Sequence, residues 1–117
     1  MASLVKAWSW KWAREAYESL AAANGRFEPI LTLIKWIEHE GLTSSVFPAY
    51  HEGAFFLAPK PIFQDRVNVI WVACAEGRFL TFMYFNGDDH PELTTVPAHE
   101  GTEALGRLLA SKFGIVR

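Results

Sequence analysis

Two apolar runs, Val67–Cys74 and Phe79–Phe85, are separated by a few residues centred on Glu76-Gly77. The first is built largely of β-branched, aromatic and small residues, the composition of a buried strand. Glu76-Gly77 fits a tight hairpin turn, because glycine adopts positive φ without steric cost. A two-residue turn at that point sets the register. Trp71 then opposes Phe82, Val69 opposes Tyr84 and Ala73 opposes Leu80 on one face. Ile70 opposes Met83, Val72 opposes Thr81 and Cys74 opposes Phe79 on the other. Both faces are then largely apolar, whereas a sheet with one wet face alternates apolar and polar residues. The hairpin therefore needs cover on both sides, from helices or from a second subunit.

The flanking segments supply helices. Ser3 to Ala23 carries Val5, Trp8, Trp12, Ala16, Leu20 and Ala23 on one stripe at the 3.6 period, with Lys11, Arg14, Glu15 and Glu18 opposite. Ser3 is its expected N-cap, Ser9 the later alternative, and Asn24-Gly25 its stop. Pro29 to Glu40 is a second helix: Pro29 suits the first position, and Ile30, Leu33, Ile34 and Ile37 form the inward stripe before Gly41. The short link between them predicts an antiparallel helical hairpin. Pro48, Pro59 and Pro61 bound a short strand near Ala54–Ala58. Leu93–Val96 reads as a further strand. Thr102 can cap a final helix with Leu105, Leu108, Leu109 and Phe113 inward, closed by Gly114 with Ile115 folded back. The expected architecture is α+β: an N-terminal helical hairpin, an antiparallel three- or four-stranded meander and a C-terminal helix, in a single compact domain spanning residues 1–117.

Composition narrows the function classes. A chain of 117 residues with 50% hydrophobic content can bury a core without disulfides or metal. Its formal charge of −2 is spread along the chain with no basic stripe, which disfavours nucleic acid and anionic membrane surfaces as partners. There is no membrane span and no signal-peptide pattern, and the lone Cys74 suits a reducing compartment, so a cytoplasmic location is expected.

Few residues suggest chemistry. His-Glu-Gly occurs three times, at His39-Glu40-Gly41, His51-Glu52-Gly53 and His99-Glu100-Gly101, more often than this composition gives by chance. Imidazoles and carboxylates can ligate zinc, manganese or iron, which makes His39, His51, His99, Glu52 and Glu100 metal candidates, with a glutamate as base for a bound water. The spacing is not that of a helical His-Glu-x-x-His site, and each glycine also suits a turn or helix boundary. The reading adopted is therefore no metal and no cofactor. Cys74 is expected inside the sheet rather than in the electropositive setting of a nucleophile. Asp88, Asp89 and Glu92 sit in a turn and read as a solvated loop.

Aromatic residues are the more useful clue: with five Trp and nine Phe, the chain has more large rings than a small interior readily hides. Trp10 and Tyr17, seven apart on the first helix, share a side away from the Trp8–Trp12 stripe, and Lys6 or Arg14 can stack on Trp10. Trp36 also lies off the centre of its stripe. Trp10, Tyr17 and Trp36 are the expected interface residues, since Trp and Tyr are favoured in protein contacts. The expected function is a small binding or regulatory module acting through protein contact, as a homodimer, an inhibitor or an immunity-type partner. The alternative is a small metal-dependent or other enzyme using His and Glu residues in loops.

Overall fold

The hairpin forms, and everything else is arranged around it. The computed structural model describes residues 4–51 and 54–116, apart from the side chain of His51. In chain order the elements are β1 (Leu4–Lys6), α1 (Trp10–Ala23), α2 (Glu28–His39), β2 (Phe47–His51), β3 (Ala54–Ala58), β4 (Ile62–Gln64), β5 (Val67–Ala75), β6 (Phe79–Asn86), β7 (Glu92–Pro97) and α3 (Gly101–Phe113). Short 3-10 turns at Gly25–Phe27 and Ala98–Glu100 precede α2 and α3. The main sheet has five antiparallel strands in the order β2-β3-β5-β6-β7, and β1 pairs with β4 in a separate two-stranded ribbon. This is the α+β class, with a longer meander than the three or four strands expected. The radius of gyration, 13.1 Å, is that of one compact body.

The register differs from expectation by one residue. Trp71 pairs with Met83, Val72 with Phe82 and Ala75 with Phe79, so Trp71 does not oppose Phe82. The cause is the turn. It holds Glu76, Gly77 and Arg78 between the paired ends, with Glu76 at φ 55° and Gly77 at φ 71°. Arg78 donates its N–H to the Ala75 carbonyl at 3.0 Å, and its own carbonyl accepts from Ala98 N–H at 2.8 Å. One more residue in the loop changes which side chains share a face. Ile70, Val72, Leu80 and Phe82 now lie together in the main core, while Val69, Trp71, Met83 and Phe85 lie on the opposite face.

Three short strands were not expected. β2 contains Pro48, which an edge strand tolerates because an outward-facing N–H is dispensable there. β1 and β4 form where a helical start and a loop were expected. Val5 pairs with Phe63, and both side chains are buried against Ala49, Phe56, Val69 and Phe85. Helix α1 therefore begins at Trp10, not Ser3, which itself lies outside the described residues. Ser9 is the N-cap, its hydroxyl accepting from Trp12 N–H at 3.1 Å. At the other end Asn24 is extended, at φ −152°, and its side chain caps the following 3-10 turn, so neither it nor Gly25 makes the left-handed stop expected there.

The inward face of α1 also differs from expectation. Ala13 and Tyr17 are buried, Trp10 and Ala21 pack beside them, and Trp12 and Leu20 are exposed. The stripe from Trp8 through Trp12 to Leu20 is thus not the core face. Helix α2 behaves as its pattern predicts, burying Ile30, Leu33, Ile34 and Ile37, with Gly41 at φ 71° after it. Helix α3 buries Leu105 and Leu109 and ends at Gly114, φ 68°, where Ile115 N–H returns to the Leu109 carbonyl at 3.0 Å.

All three helices pack on one sheet face, around Phe55, Leu57, Ile70, Val72, Leu80 and Phe82. The opposite face is only half covered. The β1–β4 ribbon lies over β3 and the start of β5, but Phe79 on β6 and Leu93 on β7 stay 47% and 65% exposed. No described helix is long and apolar enough to cross a membrane.

Candidate functional site

The segment between β1 and α1 is pinned by its backbone. Ala7 N–H donates to the Pro61 carbonyl and Trp8 N–H to the Pro48 carbonyl, each at 2.8 Å. This places the Trp8 ring on Tyr50 of β2, with centroids 5.6 Å apart and 27° between planes. The first turn of α1 then brings Trp12 against Trp8 at 4.7 Å and 55°. Trp12 is 58% exposed and Tyr50 45% exposed, so the three rings form one aromatic surface at the edge of the sheet. Trp10 projects elsewhere: half-buried, it donates its indole N–H to the Val46 carbonyl at 2.9 Å.

Tyr50 also borders a groove of about 430 Å³ between α1, the Gly25–Phe27 turn and the open ends of β3 and β5. Tyr17 and Phe55 line its inner wall, ring to ring at 5.2 Å and 74°. Arg26 and Cys74 lie at its far side, with the Arg26 guanidinium over Phe27 at 4.9 Å. The Cys74 thiol donates to the Arg26 backbone carbonyl. Burial raises its pKa, opposed by a backbone hydrogen bond from Gly77 and the Arg26 charge. That favours a thiol over the thiolate a nucleophile requires.

Burial, then Tyr50 and Cys74, raise the pKa of Tyr17 well above its ordinary value of 10.0. The phenol of the unfolded chain ionises at about pH 10 while the native one keeps its proton, so above that pH the unfolded state binds fewer protons and stability falls. The Tyr17 contribution is complete below the unfolded pKa and is lost as pH rises toward the native one. Urea midpoints measured from about pH 8 to 11 are expected to drop more steeply for the native chain than for Tyr17→Phe. Parallel curves for the two proteins would show that Tyr17 is not the group responsible.

The structure brings few of the sequence candidates together. Tyr17, expected at an interface, is 3% exposed and belongs to the core, because the inward stripe of α1 runs through Ala13 and Tyr17. Trp36 is half-buried against the same core. His39 ends α2, His51 ends β2 and His99 lies in the turn before α3, so the repeated string falls on three separate elements. Glu52 and Gly53 lie outside the described residues. His99 Nε2 sits 3.7 Å from Glu100 Oε2, and its side chain is exposed. Among the described residues no group of three His, Cys, Asp or Glu side chains could hold a metal ion. The acidic turn is locally engaged: Asp88 accepts from His90 N–H at 2.7 Å, Asp89 pairs with Arg66 at 3.2 Å and Glu92 with Lys112 at 2.7 Å.

Sequence reasoning missed the outward role of Trp12 and Tyr50. A signal was available in Ser9: a helix started there drops Val5 and Trp8 from the Trp12–Leu20 stripe and leaves Trp10, Ala13, Tyr17 and Ala21 as a competing apolar stripe. Nothing comparable marked Tyr50, which sits in an edge strand hidden by Pro48. Comparison with known proteins finds no matching family model, no similar curated protein and no similar solved structure.

Proposed function

We propose that this domain is a binding module that engages a protein, either a second copy or a different chain, through the aromatic surface of Trp8, Trp12 and Tyr50. The observation that carries this reading is Trp12, a 58% exposed ring held against Trp8. Soluble monomers rarely leave large apolar patches in water. A large ring already held by its neighbours gains buried area on contact and loses little conformational freedom, which is why Trp and Tyr dominate interface hot spots. The half-bare sheet face with Phe79 and Leu93 offers a second apolar surface, but its ring contacts, Trp71 with Phe56 and Phe85, lie in its covered part.

Trp12→Ala is expected to leave the fold intact and to weaken association by about 1–2 kcal/mol, or roughly 5- to 30-fold. Sedimentation across a wide concentration range tests self-association. A photoreactive group at position 12 identifies a different partner, whose affinity for both proteins is then titrated. The reading fails if the chain stays monomeric and every cross-linked partner binds Trp12→Ala as tightly as the native chain.

A further inference from the structure

Beyond protein contact, the groove beside Tyr50 has the make-up of a ligand site. Its described lining includes the apolar side chains of Leu20, Ile30, Phe55 and Val72. Arg26 is the one charged residue among those described around it. The Tyr17 side chain is 3% exposed and lines the groove. A tyrosine hydroxyl that lines a groove is a hydrogen-bond donor for an acceptor bound there. At about 430 Å³ the groove falls within the range of small-molecule sites.

We infer that this groove binds a small molecule with an apolar body and a single carboxylate. The body lies on Phe55, Ile30 and Val72, and Leu20 closes the rim. The carboxylate meets Arg26, whose guanidinium offers a planar fork of donors suited to it. The Tyr17 hydroxyl, which retains its proton, supplies a second donor. Cys74 takes no covalent part: its thiol is engaged with the Arg26 carbonyl and thereby helps fix the backbone that carries the guanidinium.

The test uses the whole chain with phenylacetate, 4-phenylbutyrate and octanoate as probes, and 4-phenylbutanamide as the uncharged control. Binding is read from methyl signals of Leu20, Ile30 and Val72 in NMR titrations. At least one carboxylate is expected to give saturable shifts, with the amide bound roughly tenfold more weakly or worse, the loss of one charge-assisted hydrogen bond. Arg26→Gln and Tyr17→Phe, which spare the apolar lining, are each expected to weaken binding by about tenfold. Leu20→Glu, at an exposed rim position, should abolish it even if Tyr17→Phe proves unstable. Trp12→Ala should leave it unchanged, which separates this site from the protein-contact surface. Absence of saturable shifts with all three probes overturns the inference. So does binding that is indifferent to Arg26→Gln and Leu20→Glu.

Discussion

Phe55→Ala is expected to remove about 3–5 kcal/mol of stability, the usual range for truncating a buried phenylalanine. The ring is 1% exposed, packs edge-on against Tyr17 of α1, and stands on β3 opposite Tyr50 and Val72. It thus joins three strands to the first helix. Removing it leaves a cavity that neighbours in regular strands cannot move to fill. Domains of this size are stable by about 5–15 kcal/mol, so the variant should be marginal at ordinary temperature. Urea unfolding with an unchanged slope and a lower midpoint would show the loss directly. Phe79→Ala is the comparison, since that ring is 47% exposed, and it should cost well under half as much. Equal losses at the two positions would mean that the helices cover the wrong sheet face.

Gly101→Ala should destabilise the protein by about 1–3 kcal/mol, although alanine is the better helix former. Gly101 has ordinary helical dihedrals, φ −61° and ψ −44°, so its backbone does not require glycine. Space does. A Cβ there would overlap Leu80 Cδ1 and lie 3.5 Å from Leu33 Cδ2. Leu80 is 1% exposed and Leu33 fully buried, so neither can swing into solvent. The first turn of α3 meets the sheet at that point, and an added methyl forces one of them apart. Gly25→Ala is the control, with nothing within 4 Å of its would-be Cβ. Thermal midpoints of the two variants should separate clearly. If they coincide, α3 does not approach the sheet as closely as described.

Gly101 also shows what the repeated His-Glu-Gly string is made of. Gly41 ends α2 in the left-handed conformation, whereas Gly101 opens α3 at a close approach to Leu80. Two glycines in identical tripeptides answer different needs, one of backbone conformation and one of space. The histidines beside them share neither an element nor a described ligand cluster.

The sequence by itself determined the elements whose signals are local. Helices α2 and α3 carry their stripes over three turns, and their stops at Gly41 and Gly114 are written in the adjoining residues. The β5–β6 hairpin was legible in the same way, from two apolar runs and a turn glycine. Tertiary structure decided whatever depends on distant partners. The hairpin register turned on whether Arg78 stayed in the loop, and Arg78 is tied to Ala98, twenty residues further on. Three-residue strands are too short to show a period, and β1 and β4 exist because Val5 and Phe63 bury together against the outer sheet face. Once β1 claims Leu4–Lys6, α1 must begin later, at the Ser9 cap. Packing on the sheet turns Tyr17 inward, where it lines the groove, and leaves Trp12 outside beside Trp8 and Tyr50. The pairing of Val5 with Phe63 joins residues nearly sixty positions apart, and no local pattern of apolar residues encodes such a contact.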